Sequence, residues 1–328
     1  MKTAFIMSPS TRNMVINQKA IDFFSSLGEV TLNTGGTGKE SVMKTIEGAD
    51  IAITSWGNTA IDGEILSVCP DLKLVAHAAG SVKPVVSDEL WEKGVRVLSC
   101  ACPLGEGVAE TALGFTISAC KNFYNLNTSL HNGGWNEGKE NIRELFDLKI
   151  GVIGFGWAGK HYIRLLRNFY VDVYCYDPFV DSSAMAELGA EKADFEWILA
   201  NCDVVSIHAP SIPATNHMFN SKTLSLMKKD AVLINTARGT LIDENALYEF
   251  MAAGNLKYAC LDVFDPEPPA KDHKLFTLSN VIATPHLAGL ANNGLRRIGL
   301  FVCQEVENFL NGKPMRGEVT KEMLEKMA

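Results

Sequence analysis

The sequence predicts an α/β protein built from two doubly wound parallel sheets. Three observations carry that prediction: strand-length apolar runs alternate with stretches of helical spacing, the runs fall into two series, and a glycine-rich turn stands at the head of the second. Alternation of this kind places crossover helices between parallel strands. At 328 residues the chain is also long for one hydrophobic core, so two domains are expected.

The first series comprises Ala4-Phe5-Ile6-Met7, Ile51-Ala52-Ile53-Thr54, Leu74-Val75-Ala76-His77 and Val95-Arg96-Val97-Leu98. The second runs through Lys149 to Ile153, Val171 to Tyr176, Val204 to Ile207, Ala231 to Ile234, Ala259 to Asp262 and Val281 to Ala283, six strands in all. Between them, Gly105 to Phe123 reads as one long helix and Asn125 to Glu144, rich in Asn and Gly, as an exposed arm. A last helix, roughly Asn293 to Leu310, is long enough to return the chain to the first domain. The expected division is 1–102 and 297–328 for a smaller, discontinuous domain and 103–296 for the other.

Composition narrows the function classes. The chain is 47% hydrophobic and 21% charged with a formal net charge of -8, which offers no basic surface to nucleic acid or anionic lipid. Neither a leader with a long apolar region nor a membrane-length apolar stretch is legible, and Met1 to Pro9 reads as a first strand. The eight cysteines are scattered, and Cys100-Ala101-Cys102, the one close pair, has neither zinc-knuckle nor redox spacing. No metal is expected, and the compartment that fits is the reducing cytoplasm.

The glycine turn is Gly154-Phe155-Gly156-Trp157-Ala158-Gly159, directly after a strand and before the helical stretch Lys160 to Asn168. In that context the glycines allow a tight turn, close approach of a pyrophosphate and close packing of helix on strand, while the helix N-terminus offers N–H groups to phosphate. The next strand ends in Tyr176-Asp177-Pro178, with Asp177 18 residues past Gly159, near the spacing of a ribose-binding carboxylate. A carboxylate there repels a 2'-phosphate, and Pro178 stands where an arginine would have welcomed one. The cofactor expected is NAD.

Three residues then supply the chemistry. Arg238 lies in Asn235-Thr236-Ala237-Arg238-Gly239, Glu267 in Asp262-Val263-Phe264-Asp265-Pro266-Glu267-Pro268, and His286 in Thr284-Pro285-His286-Leu287-Ala288-Gly289. Each follows a predicted strand's C-terminal end, where open α/β sheets place ligands. Taken singly they have plain readings: Arg238 as a cap or a partner of Asp243, Glu267 as an exposed turn residue, His286 as a partner of a backbone carbonyl. His208 is a rival base, and His77 reads as a core residue.

With these motifs, and with Val108-Ala109-Glu110 and Ile207-His208-Ala209-Pro210 through Thr215, the chain resembles the D-isomer-specific 2-hydroxyacid dehydrogenases from about Leu74 to Asn311. The resemblance implies a Rossmann NAD-binding domain and a smaller flavodoxin-like substrate domain. It implies that Arg238 anchors a substrate carboxylate, that His286 is the acid/base and that Glu267 orients and charges it. Gly154, Phe155, Gly156, Trp157, Ala158, Gly159, Asp177, Pro178, His208, Ala209, Pro210, Thr215, Thr236, Ala237, Asp262 and Gly289 would line the cofactor, with Asp262 near the nicotinamide amide. Ala79, Gly80 and Ser81, with Arg238 and His286, would meet the substrate, and two copies would pair through the Val108 to Phe123 helix and the arm.

The chemistry of the trio agrees with that implication. A guanidinium fork matches a carboxylate beside a ketone, and an imidazolium favoured by a neighbouring carboxylate can donate a proton to the oxygen that gains charge. The reaction expected is the interconversion of a 2-oxo acid and a D-2-hydroxy acid. Two alternatives stand beside it, a formate-type dehydrogenase and an NAD-sensing binding protein of the corepressor branch. Glu267 speaks against the first, since formate dehydrogenases of the family carry glutamine there, and the absence of long disordered tails speaks against the second. The loop Gly80-Ser81-Val82-Lys83-Pro84 departs from the Gly-x-Asp-Asn of many relatives, Lys83 is a candidate contact for a second anion, and the chain's end at Ala328 leaves no room for a regulatory domain. Asp177→Ala is expected to reduce the preference for NADH over NADPH; an unchanged ratio of the two affinities refutes the ribose assignment.

Overall fold

The computed structural model describes residues 1–289 and 292–327. Its contacts divide the chain into two compact units, Met1–Leu104 with Leu290–Ala328, and Gly105–Gly289. The first division falls at Leu104, inside the helix Ala101–Cys120, where no linker marks it. The second comes at Gly289 rather than 296, because Asp262 binds the amides of Leu287 and Ala288, and Thr111 donates to the Ala288 carbonyl. Ala328, the end of the expected third segment, lies outside the described residues.

The first unit is built on β1 (Lys2–Phe5), β2 (Glu29–Leu32), β3 (Ile51–Thr54), β4 (Leu74–His77) and β5 (Arg96–Ser99). These pair in parallel in the order β2-β1-β3-β4-β5, the flavodoxin-like arrangement. Glu318–Val319 adds an antiparallel edge beside β5, secured by two bonds from the Arg96 guanidinium to the Glu318 carboxylate at 2.6 and 2.7 Å. Neither β2 nor this edge is among the strands expected. The one is half exposed and mixed in polarity, and the other is two residues long. Strands β3 and β4 are buried at every position, which is why they read as continuous apolar runs.

The last helix, Leu295–Leu310, starts two residues after the expected Asn293 and buries Ile298, Phe301, Val302, Glu305 and Val306 along one face. Close approach accounts for Gly299, since a Cβ there would lie 2.6 Å from the Val15 carbonyl oxygen. Glu305 is fully buried, and its carboxylate accepts from the Gly317 N–H and the Asn308 side-chain amide.

The second unit carries β6 (Lys149–Ile153), β7 (Asp172–Tyr176), β8 (Glu191–Lys192), β9 (Val204–Ile207), β10 (Ala231–Asn235), β11 (Leu256–Leu261) and β12 (Val281–Ala283). All are parallel, in the order β12-β11-β10-β9-β6-β7-β8, with the reversal of direction at β6 and β9. That is the Rossmann order with a switch point beside the glycine turn. The two-residue β8, exposed at the sheet edge, adds to the six strands expected.

Period-two alternation feeds two cores. Val205, Ile207, Leu233, Ala259 and Leu261 enter one, and Val204, Val232, Ile234, Tyr258 and Cys260 the other. Burial of each large apolar side chain contributes about 1.5–3 kcal/mol. The sheet is therefore a rigid base for the loops at its C-terminal edge.

Two expectations between the strand series need correction. The helix Ala101–Cys120 stops short of Phe123 because Asn122 takes a left-handed conformation, φ 57°, while its side chain bonds the Gly138 carbonyl and the Tyr258 hydroxyl. Asparagine tolerates that conformation better than most residues. A second helix, Phe123–His131, then occupies the start of the expected arm, followed by turns and one short 3-10 segment at Lys139–Asn141. The nucleotide-side helix is Trp157–Leu166, so its first turn includes Trp157, Ala158 and Gly159.

Candidate active site

The glycine turn begins where β6 ends. Gly154 has φ +103°, and a Cβ on it would lie 2.7 Å from the His208 carbonyl carbon, so both conformation and space require glycine. A Cβ on Gly159 would lie 2.1 Å from the Gly154 oxygen, which sets how closely the helix approaches the strand. Gly156, by contrast, faces open space, with no atom within 4 Å of where its Cβ would be. The helix N-terminus is thus open at Gly156, while Gly105 packs against its first turn at Ala158.

Asp177 is fixed at the end of β7 by the Phe155 and Phe179 N–H groups, both at 2.9 Å. A carboxylate has about four acceptor directions, so two remain for ribose hydroxyls. Phe155 is buried in a core cluster, Trp157 and Ala158 are half-buried, and Pro178 is exposed. Beyond β9 and β10, the His208 Nδ1 and Thr236 Oγ1 atoms are buried without a hydrogen-bond partner among the described residues. Buried polar atoms of that kind call for a partner. The open Gly156, the tethered Asp177 and these two orphaned atoms all fit a dinucleotide.

Other expected cofactor residues also build loops. Thr215 donates to the Pro210 carbonyl at 2.6 Å and accepts from the Ile212 N–H at 3.0 Å, folding Pro210 to Thr215 into a closed turn next to Ala209. The His208 ring packs on Tyr162 and its Nε2 pairs with Ser206 Oγ at 2.9 Å. Burial pushes its pKa down to about 3, so it is neutral at pH 7 and does not rival His286 as a proton donor.

Arg238 follows β10. Asn235, almost fully buried, accepts the Ala237 N–H and donates to the Arg238 carbonyl, a local clip that sets the loop. The guanidinium donates to the Ala237 carbonyl at 2.6 Å, its one hydrogen bond among the described residues. Asp243, the alternative partner, instead caps the helix Glu244–Ala252 through the amides of Asn245 and Ala246. Burial lowers the Arg238 pKa from its usual value and the charge of Glu267 opposes that shift, so the two groups share one electrostatic neighbourhood. Behind Arg238, a Cβ on Gly239 would lie 2.1 Å from the Phe264 carbonyl carbon. That contact brings the arginine loop against the glutamate loop.

Glu267 accepts the Phe264 N–H on one carboxylate oxygen and faces His286 Nδ1 at 2.6 Å with the other. The imidazole is half exposed, which leaves its second nitrogen accessible. His286 has φ 49°, and its N–H donates to the Asp262 carbonyl at 2.8 Å. The site residues Arg238, Glu267 and His286 therefore come together as one group.

Asp262 anchors the loop that follows β12. Its side chain is 0% exposed, and its oxygens accept the Thr284 hydroxyl at 2.5 Å, the Leu287 N–H at 3.0 Å and the Ala288 N–H at 2.8 Å. The carboxylate expected near a nicotinamide amide ties the end of β11 to the loop that carries His286. Gly289 follows in that loop, 3.5 Å from Val108 at its would-be Cβ. Thr284, Asn235 and Gly239 are positioning residues that the sequence reading missed as such. All three stand inside the quoted motifs, and an Asn two residues before a tight turn is a sequence signal for a side-chain clip.

In the other unit, the Ala78, Ala79 and Gly80 carbonyls accept from Ser55 Oγ, the Cys100 N–H and Ser99 Oγ. Ala79 is fully buried, and Gly80 and Ser81 are half-buried. His77, buried and bonded to Thr54 Oγ1 at 2.8 Å, is pushed down to about 4 by burial, in keeping with a core role. Lys83 donates to the Met327 carbonyl at 2.6 Å.

Asp262→Asn is expected to strand at least one buried donor, at a cost of about 1–3 kcal/mol. The measurement is thermal unfolding combined with turnover: a lower midpoint and a kcat reduced more than KM is raised are predicted. A variant with wild-type stability and kcat would remove the clamp from the account.

Residues 113–288 match the family described as D-isomer specific 2-hydroxyacid dehydrogenase, NAD binding domain. The chain is 32% identical to D-3-phosphoglycerate dehydrogenase of Methanocaldococcus jannaschii, over 91% of this chain and 56% of that protein. It is 29% identical to hydroxypyruvate reductase of Thermotoga maritima, over 90% of this chain and 95% of the relative. The chain thus spans little more than half the length of the phosphoglycerate dehydrogenase. A phosphoglycerate oxidoreductase from Rhizobium etli shares the fold, with a TM-score of 0.84 at 22% identity over 98% of both chains. The chain belongs to the D-isomer-specific 2-hydroxyacid dehydrogenase family.

Proposed function

We propose that this chain is an NAD-dependent oxidoreductase that interconverts a 2-oxo acid and a D-2-hydroxy acid. The observation that carries the reading is the 2.6 Å contact of His286 Nδ1 with Glu267, with Arg238 in the field of the same carboxylate. A proton donor, its orienting anion and an anion-binding cation are what such a reaction asks of the protein.

The cofactor, when bound, supplies or accepts the hydride. Arg238 has N–H groups left over after its bond to Ala237, and it binds the substrate carboxylate and holds the ketone in place. His286, with Nδ1 engaged, presents Nε2 to the ketone oxygen and donates its proton as that oxygen gains charge; in the reverse direction the neutral ring removes it. Glu267 fixes the ring orientation through its 2.6 Å contact with Nδ1. Ala79, Gly80 and Ser81 are proposed as further substrate contacts. Thr236, Ala237, Ala209, Pro210, Gly289 and the glycine turn hold the dinucleotide, and Asp177 selects NAD over NADP.

Glu267 favours this acid/base chemistry over formate oxidation, which releases no hydroxyl proton. Lys83 is engaged with Met327, which weakens its candidacy as a contact for a second substrate anion. No helix among the described residues is long and apolar enough to cross a membrane; the working compartment we propose is the cytoplasm. The exposed Phe123, Leu130 and Trp135, at 52%, 55% and 71%, support a homodimer through the helix and arm that carry them.

The test is a panel of 2-oxo acids with NADH and NADPH, including glyoxylate, hydroxypyruvate, pyruvate and phosphohydroxypyruvate. His286→Ala should cost about 10²–10⁴-fold in kcat with a smaller effect on KM. Full activity in that variant, or no substrate reduced by wild type, would sink the reading. Reduction, which takes up a proton, should slow and hydroxy-acid oxidation, which releases one, should quicken as pH rises; parallel profiles would contradict this. Light scattering should return twice the chain mass, and a monomer would remove the dimer.

A further inference from the structure

We propose that Lys160 supplies the cation that meets the cofactor's diphosphate, with the rings of Phe155 and Trp157 as the surface that steadies its ammonium. The inference rests on the NAD reading above and adds a residue that the glycine pattern does not name. Lys160 is the fourth residue of the helix Trp157–Leu166, and its N–H bonds the Gly156 carbonyl at 2.9 Å. It therefore sits one turn behind the glycine that faces open space. Helical side chains lean towards the N-terminus, so its long stem reaches back over that first turn.

The ammonium position supports this direction. Nζ lies 5.1 Å from the Phe155 ring centroid and 5.6 Å from that of Trp157, both residues of the turn itself. Trp157 is in turn stacked on His161, with centroids 6.0 Å apart and planes 23° apart, which limits its freedom. Among the described residues no carboxylate forms an ion pair with Lys160. A lysine that only solvates the surface has no need of two ring faces; one held by them stays at the mouth of the turn as a fixed charge.

The need for such a charge follows from what else lines the turn. Backbone N–H groups are neutral dipoles, and the nearest fixed charge identified for the cofactor, Asp177, is an anion. A diphosphate carries two negative charges, and a lysine meets phosphate as a point charge without requiring a planar fork.

Calorimetric titration of the full chain with NADH, ADP-ribose and adenosine tests the assignment, using wild type, Lys160→Met and Lys160→Arg. Lys160→Met should weaken NADH and ADP-ribose by about tenfold, the loss of one charge-assisted bond, and leave adenosine unchanged. Its NADH affinity should also depend less on salt than that of wild type. Lys160→Arg should restore most of the affinity. Wild-type affinity for NADH in Lys160→Met overturns the proposal, as does an equal loss for adenosine, which would indicate a merely structural role. If wild type binds neither NADH nor ADP-ribose, it is the NAD reading itself that fails.

Discussion

The buried carboxylate of Asp262 is the interaction on which the rest of the site depends. Burying an anion is costly unless hydrogen bonds replace its water, and here the Thr284 hydroxyl and the Leu287 and Ala288 amides do so. The same residue's carbonyl accepts the His286 N–H. One residue at the end of β11 thereby determines the course of the loop after β12. His286 is carried in a left-handed conformation that a free chain would rarely adopt, and the flanking bonds hold it there.

The other two members of the trio reach the same place by backbone economy. Asn235 folds the loop that presents Arg238, and Gly239, by having no side chain, lets that loop touch the backbone at Phe264. The Phe264 amide then holds one oxygen of Glu267 and leaves the other for the imidazole. Each catalytic candidate is thus set by a neighbour that does no chemistry. The arrangement is preorganised in the sense that matters for catalysis, because its groups need not reorient as charge develops.

On the nucleotide side the division of labour differs. The glycines act by what they leave out, and Asp177 is held at the end of β7 by two backbone amides. The polar atoms of Thr215 and Asp262 also shape the loops on which they stand. His208 is held neutral by burial and separated by chemistry, more than by position, from the role of acid/base.

The sequence by itself determined the doubly wound class and the six main strands of the second unit, because buried strands read as apolar runs, and it singled out the trio as candidates, because open α/β sheets place ligands just beyond their strand ends. It also located the glycine turn and its acid, where spacing along one chain is enough. Only the tertiary structure decided where helices stop, as at Asn122, whose side chain is stabilised by Gly138 and Tyr258, and which edge strands form, since Glu29–Leu32 and Glu318–Val319 are defined by their partners. It likewise decided what Asp262 and Lys160 touch. Hydrogen bonds and ring contacts depend on residues distant in the chain or on side-chain direction, and neither can be read from spacing.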